Sequence, residues 1–229
     1  MFLFILLTTL WFRTQSQNSE TLKDIDGNIY STVIIGEQIW MVENLRTTSY
    51  KNGIRIPFVT ADSLWKSLKS SAYCWYSNDN SNGVKLGALY NWYAVNTESL
   101  CPNGWRVPTD DDWKQLEIYA DSKYHVNDTI WNTTMLRGYD TGKKLKSKSG
   151  WNTNGSGLDI LGFTAIPAGE RSGNKFNFRH LGSNGFWWTS SEFNDSLAWY
   201  RCLVFFDDRI IRNTHPKTMG FSVRCVKDL

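Results

Sequence analysis

Cysteine and histidine are the residues of this sequence with the clearest potential for covalent or metal chemistry. The four cysteines are Cys74, Cys101, Cys202 and Cys225. They form no Cys-x-x-Cys motif, and the three histidines are far from them in the sequence, so we predict no zinc site. An even number of cysteines behind an export signal predicts two disulfide bonds, and the spacing leaves all three possible pairings open.

The remaining ionisable residues form no recognisable catalytic set. The histidines are His125, His180 and His215. Their side chains titrate near neutral pH, but no Ser, Cys or carboxylate pattern assigns any of them to acid–base catalysis. Residues 110–112 are three consecutive aspartates that resemble a metal-binding cluster, but they follow Thr109 at the predicted start of a helix. There Thr109 caps the helix and the carboxylates complement the helix dipole, so we predict no catalytic residue, metal or cofactor.

Tryptophan provides the candidate contacts for a ligand, because its ring stacks on sugars and anchors protein interfaces. We predict that five of the 12 tryptophans fill the core: Trp40, Trp92, Trp105, Trp113 and Trp187. Three others lie in polar, loop-like stretches and are candidates for exposed contacts: Trp65, Trp131 and Trp151. Polar candidates follow Pro167 between short predicted strands: Glu170, Arg171, Arg179 and His180. A core role for the tryptophans and a solvated loop for the polar residues remain the alternatives.

Residues 1–16 are predicted to be a signal peptide, and residues 17–229 a single domain. Residues 2–12 form an apolar run that is too short to cross a bilayer, and Ser16 lies in the polar stretch behind it. No basic residue precedes this run, so a buried N-terminal segment is the alternative. We expect a secreted or cell-surface protein without a membrane span after cleavage. The net charge of +3, carried by scattered basic residues, argues against a nucleic-acid surface.

The elements that position these residues are predicted to be short. Asp26-Gly27 and Gly36-Glu37 mark the turns of two hairpins, and residues 109–120 form an amphipathic helix with Trp113 on its apolar face. Later β-like runs occupy 162–166, 186–189, 198–206 and 220–226. The last of these alternates apolar residues like a half-buried antiparallel strand. Without a βαβ rhythm, a phosphate loop or a repeat, the sequence predicts an α+β domain with long loops.

Several sequence blocks resemble the Fibrobacter succinogenes major paralogous domain family. The most specific block runs from Leu100 to Trp113 and reads Leu-Cys-Pro-Asn-Gly-Trp-Arg-Val-Pro-Thr-Asp-Asp-Asp-Trp. The other blocks are 26–45, 72–79, 87–95, 162–169, 187–191 and 220–226. The resemblance covers residues 24–228 and implies an exported domain with a C-type-lectin-like fold, in the branch shared with formylglycine-generating enzymes. It implies no established activity.

The resemblance also implies a disulfide pairing and two departures from related proteins. By that likeness Cys101 pairs with Cys225, which leaves Cys74 with Cys202. Formylglycine-generating enzymes need two close reactive cysteines before the final strand, whereas Cys202 stands alone. Calcium-dependent lectins carry a Glu-Pro-Asn or Gln-Pro-Asp triplet and a Trp-Asn-Asp motif. Neither occurs here, so calcium-bridged sugar binding is not predicted.

The sequence therefore predicts an exported binding or adhesion module for a glycan or a protein at the cell surface. An enzyme of the formylglycine-generating branch and a structural subunit of a surface assembly are the alternatives. Three Asn-x-Ser/Thr motifs, at Asn127, Asn132 and Asn194, are predicted to mark polar loops.

Overall fold

The computed structural model describes residues 21–173 and 178–229, and the predicted signal peptide lies outside the described residues. The fold is α+β, with short helices and several small sheets, as predicted. The strands are β1 (Leu22–Lys23), β2 (Ile29–Tyr30), β3 (Thr32–Ile35), β4 (Gln38–Met41), β5 (Tyr73–Cys74), β6 (Leu89–Tyr90), β7 (Met135–Arg137), β8 (Ala168–Arg171), β9 (Phe178–Leu181), β10 (Asn184–Glu192), β11 (Leu197–Val204), β12 (Ile210–Pro216) and β13 (Val226–Asp228). The helices are α1 (Asp62–Trp65), α2 (Ser81–Leu86), α3 (Trp92–Val95), α4 (Asp110–Ala120) and α5 (Thr141–Leu145).

Among the described residues, the largest sheet has six strands in the order β7-β12-β11-β10-β8-β9. Neighbouring residues of a strand point to opposite faces, and β10 and β11 follow this period of two. One face carries Phe186 and Tyr200 into the main apolar cluster of the domain. The other face carries Trp187 and Leu203 into a second cluster, where they pack with apolar residues of α4. The large sheet is therefore buried on both faces near its centre.

A second sheet, β13-β4-β3, joins two segments that are distant in the sequence. Strand β3 turns into β4 through Gly36, whose φ of +63° suits the tight hairpin predicted at this position. Strand β13 then pairs antiparallel with β4, with Val226 opposite Trp40. This pairing brings the last described strand against a hairpin near residue 40.

The predicted disulfide between Cys101 and Cys225 is present, with a Cα–Cα distance of 5.9 Å and a sequence separation of 124. The predicted pair of Cys74 with Cys202 is wrong, because both thiols are free. Cys74 packs in a small cluster beside β6, whereas Cys202 packs in the main cluster on the large sheet. The spacing of the cysteines in the sequence does not indicate that Cys74 and Cys202 lie in different clusters.

Helix α4 begins with the predicted cap. The Thr109 hydroxyl accepts a hydrogen bond from the Asp112 backbone N–H, and the Asp112 carboxylate accepts one from the Thr109 backbone N–H. Asp112 also binds the guanidinium of Arg106. The predicted apolar face is buried, with Trp113 fully enclosed. Asp112 at this helix start therefore binds the protein's own backbone and an arginine.

A buried ionic network fixes α4 to the large sheet. Glu117 of α4 is fully buried, and Nη2 of Arg137 lies 2.6 Å from its carboxylate. The Arg201 guanidinium donates hydrogen bonds both to Glu117 and to Asp110, and Arg212 donates to Asp110. Buried charges are costly unless paired, so each of these groups depends on the others.

The run 220–226 is not the predicted half-buried strand. All seven residues are buried, and regular strand geometry begins only with β13 at Val226. Phe221 bridges to Tyr90, and Ser222 bridges to Trp187. The buried Arg224 that follows them donates to the Asn44 side chain and to the carbonyl of Thr164. The polar residue Arg224 of the alternating pattern thus has hydrogen-bond partners inside the domain. The run 220–226 can therefore be buried on both sides.

The run 162–166, also predicted as β-like, forms no strand. Its only β-pairing in the described parts of the chain is a single parallel bridge from Ala165 to Lys146. Thr164 within it has a φ of +52°, which is incompatible with extended backbone.

Candidate functional site

The three tryptophans predicted as exposed contacts are buried. Trp65, Trp131 and Trp151 expose 1%, 2% and 8% of their surface, so this prediction is wrong. Each indole N–H donates to a protein oxygen, namely Thr218 O, His125 O and Ser147 Oγ. Because the polar group of each ring is satisfied internally, polar loops can fold over the tryptophans and use them as core.

Arg171 is also buried and has a structural role. Its guanidinium donates to the carboxylate of Asp62 at 2.9 Å and to the carbonyl of Thr60 at 2.8 Å. It also stacks over the Trp65 ring, 4.3 Å from the centroid. Arg171 therefore ties β8 to the segment around α1 and is not available to a ligand, contrary to the prediction.

The other three polar candidates lie together, as a group that we call the Glu170 cluster. Glu170 is 2% exposed, and its Oε1 accepts a hydrogen bond from Arg179 Nη2 at 2.8 Å. His180 Nδ1 lies 3.3 Å from the same oxygen, and the His180 side chain is 41% exposed. Glu170 and Arg179 are opposite each other in the β8–β9 hairpin. The cluster thus holds one buried carboxylate at the hairpin, with His180 as its most accessible member.

The groups around the Glu170 cluster are poorly suited to proton transfer. Burial raises the pKa of Tyr200 above its usual value, an effect that the charge of Glu170 reinforces. Burial lowers the pKa of His215, so this side chain is held neutral near neutral pH. A general acid or base works best with a pKa near the working pH, and neither group is shifted toward that value.

The two free thiols are equally unsuited to nucleophilic chemistry. Burial raises the pKa of Cys74 to about 12. Burial also raises the pKa of Cys202 well above its usual value. The thiolate is the reactive form of cysteine, so both side chains are inert in the folded protein.

A cleft of about 430 Å³ lies beside the disulfide, and we call it the Trp105 cleft. Its lining includes Lys51, Glu98, Trp105, Arg106, Thr109 and Ser190. Trp105 was predicted to be core, but it is only partly buried and packs against the edge of the main cluster. Pro102-Asn-Gly104, a turn with Gly104 at a φ of +79°, places the ring there. The turn is visible in the sequence but does not by itself indicate exposure, because Trp151 also follows a glycine of positive φ, Gly150, and is buried.

The walls of the Trp105 cleft are held in place by the surrounding structure. Arg106 donates to Asp112 at 3.0 Å and to Asp228 at 2.6 Å, and it forms a β-bridge with Val226. Across the cleft, the Ser190 N–H donates to the Pro108 carbonyl at 2.8 Å. The Cys101–Cys225 disulfide forms part of the same wall. A site that is fixed before binding loses little conformational entropy when a ligand arrives.

A smaller hollow of about 210 Å³, the Asn103 hollow, adjoins this cleft. It is lined by Lys23, Asp24, Ile25, Lys51, Pro102 and Asn103, so Lys51 is common to both. The Asp24 carboxylate already accepts hydrogen bonds from Asn28 and, at 2.6 Å, from the Tyr30 hydroxyl. The two hollows are therefore neighbours that share Lys51 in their linings.

The remaining sequence predictions concern metals, membranes and loops. Within residues 21–173 and 178–229, no group of three or more His, Cys, Asp or Glu side chains could hold a metal ion. In the same described ranges, no helix is both long and apolar enough to cross a bilayer. The asparagines of the three Asn-x-Ser/Thr motifs are exposed, as expected for polar loops.

Comparison with known proteins gives one match. Residues 33–227, most of the chain, match the family model described as Fibrobacter succinogenes major domain. No curated protein matches the chain, and no solved structure matches it.

Proposed function

We propose that this chain, which belongs to the Fibrobacter succinogenes major domain family, is an exported surface module that binds glycans through the Trp105 cleft. The observation that carries the proposal is the partly exposed Trp105 ring in a rigid cleft of about 430 Å³. Ligand pockets of small molecules usually enclose about 300–1,000 Å³ and combine an apolar surface with a few fixed polar groups.

The chemistry of the lining suits a sugar ring. Trp105 is partly exposed in the cleft and can offer aromatic surface to C–H groups, and the polar residues Thr109, Ser190 and Lys51 line the same cleft. A pyranose has both C–H faces and hydroxyl edges, so it matches this mixture better than a purely apolar ligand. The fixed walls favour recognition of a defined ring over loose hydrophobic contact.

Export and a C-type-lectin-like fold are part of the same proposal. The disulfide supports an oxidising compartment, because such bonds persist there and are rare in the cytosol. Three features support the C-type-lectin-like fold: the capped helix α4 behind Cys101, the pairing of β13 with β4, and the bond that links these regions. Of these features, the Cys101–Cys225 bond is the one that the sequence resemblance implied. The enzyme alternative is not proposed, since both free thiols are buried with raised pKa values.

A glycan array followed by quantitative binding tests the proposal. We expect the full chain to bind at least one glycan class, and Trp105→Ala to weaken this binding by at least about tenfold, or about 1.4 kcal/mol. Phe206→Ala is the matched control, because Phe206 is 71% exposed and lines a different hollow. Thermal melting of both variants checks that they fold.

Two results would contradict the proposal. The first is the absence of binding to every glycan on the array. The second is a folded Trp105→Ala variant that binds as tightly as the Phe206→Ala control, since the cleft would then not be the site.

A further inference from the structure

We propose that the Trp105 cleft and the Asn103 hollow are two subsites for one neutral oligosaccharide chain. This inference rests on the proposed glycan-binding function and goes beyond it by naming the class of glycan and the number of subsites. It excludes acidic glycans and acidic peptides as the preferred ligands.

The two hollows share one lining residue. Lys51 lines both, and its position is fixed, because its N–H donates to the Ser99 carbonyl and its ammonium to the Glu98 carbonyl, each at 2.9 Å. The Asn103 hollow, at about 210 Å³, is smaller than the roughly 300 Å³ at which ligand pockets begin. It is therefore too small to be a complete site, but it can hold part of a longer ligand whose other part occupies the Trp105 cleft.

The charges around the two hollows balance. The cations that line them or contact their lining are Lys23, Lys51, Arg106 and Lys227. The carboxylates are Asp24, Glu98, Asp112 and Asp228. Four positive and four negative side chains leave no net charge to attract a polyanion over a distance. An acidic ligand would also give up solvation of its charges without a surplus cation in return.

Polar groups that the fold does not use remain in the linings of the two hollows. Among the described residues, no acceptor for the Trp105 indole N–H is present, and the exposed Glu98 carboxylate forms no ion pair. The exposed side chain of Asn103 is likewise without a protein hydrogen bond in the described ranges. The Trp105 indole is a donor, the Glu98 carboxylate is an acceptor and the Asn103 amide is both. These groups match the hydroxyls of a neutral sugar, because each hydroxyl both donates and accepts.

The test is calorimetric titration of the full chain with neutral and acidic probes. The neutral probes are gluco-, manno-, galacto- and xylo-oligosaccharides, each as monosaccharide, disaccharide and tetrasaccharide. The acidic probes are galacturonate oligomers and a polyglutamate peptide. We expect a neutral series to bind, with affinity rising by about tenfold from monosaccharide to tetrasaccharide as the second subsite fills. We also expect little change in affinity between about 50 mM and about 500 mM salt, because no ion pair forms.

Two variants separate the subsites. Asn103→Ala should weaken tetrasaccharide binding by about two- to fivefold, or at most about 1 kcal/mol, and leave monosaccharide binding unchanged. Trp105→Ala should weaken binding of every length. Lys66→Ala, an exposed lysine outside both hollows, is the control and should change neither.

Each other outcome overturns the inference in a recognisable way. If galacturonate or polyglutamate binds more tightly than the neutral sugars and the binding weakens with salt, the inference of a neutral ligand is wrong. If that binding is then lost in Trp105→Ala, the Trp105 cleft is still a binding site. Equal affinity for all lengths, or equal weakening by Asn103→Ala at all lengths, overturns the second subsite alone. No binding to any sugar probe, together with a silent glycan array, overturns the proposed function as well.

Discussion

Replacing both Cys101 and Cys225 by alanine should remove a large share of the stability of the domain. The disulfide closes a sequence separation of 124, and in the chain-entropy treatment a loop of this size stabilises the folded state by about 4–5 kcal/mol. Domains are typically stable by only about 5–15 kcal/mol. The double variant should therefore be close to unfolding under conditions in which the parent is fully folded.

Urea unfolding of both proteins without reductant measures the effect. With a urea dependence of about 2–3 kcal/mol per molar, the midpoint should fall by about 1.3–2.5 M. Cys74→Ala is the control, because it removes a buried thiol that forms no bond, and it should cost about 1 kcal/mol. If the double variant unfolds at the same urea concentration as this control, the disulfide does not constrain the unfolded chain and the reasoning is wrong.

Three further predictions concern the buried charges and thiols. Glu117→Gln should cost about 3–5 kcal/mol in the same urea titration, because it deprives the buried Arg137 of its ion pair to Glu117 and leaves Arg201 only its ion pair to Asp110, whereas the exposed Asp111→Asn should cost less than about 0.5 kcal/mol; equal costs would refute the network. Burial alone would raise the pKa of Asp110, but two arginines hold it well below its usual range, so its stabilising effect is complete above about pH 4 and is lost as the pH falls further. Melting temperatures of the parent should therefore fall in acid more steeply than those of Asp110→Asn. Cys74 and Cys202 should not react with a thiol reagent in the native protein and should both react in denaturant, and rapid reaction of either in the native state would reopen the enzyme alternative.

The parts of the fold that the sequence predicted are those with local causes. The hairpin turn at Gly36 needs a residue that tolerates positive φ, and the cap of α4 needs Thr109 and Asp112 three residues apart. Both signals depend only on neighbouring residues, so they are visible in the sequence. The Cys101–Cys225 bond came instead from the family resemblance, since spacing alone left three pairings open.

The predictions that failed depended on distant partners. Trp131 and Trp151 lie in polar stretches, yet both are core because a backbone carbonyl or a serine hydroxyl accepts from each indole. The buried charge of Arg171 likewise depends on Asp62, which is 109 residues away. Trp105 shows the reverse error, because an apolar residue within a structural motif became accessible beside an exposed turn. Polarity of the local sequence therefore predicted burial poorly wherever a tertiary hydrogen bond decided it.

The position of the disulfide also determines how the domain would respond to a mechanical pull on its two flanks. Tension that enters before residue 101 and leaves after residue 225 passes through the sulfur–sulfur bond and bypasses the chain between them. That chain includes α4 and all six strands of the large sheet, and fully extended its 124-residue separation would add about 400 Å of length. In the oxidised protein this segment cannot extend under load. The wall of the Trp105 cleft includes Cys101, so the cleft keeps its covalent support. Reduction of the disulfide would allow the segment between residues 101 and 225 to extend under the same load.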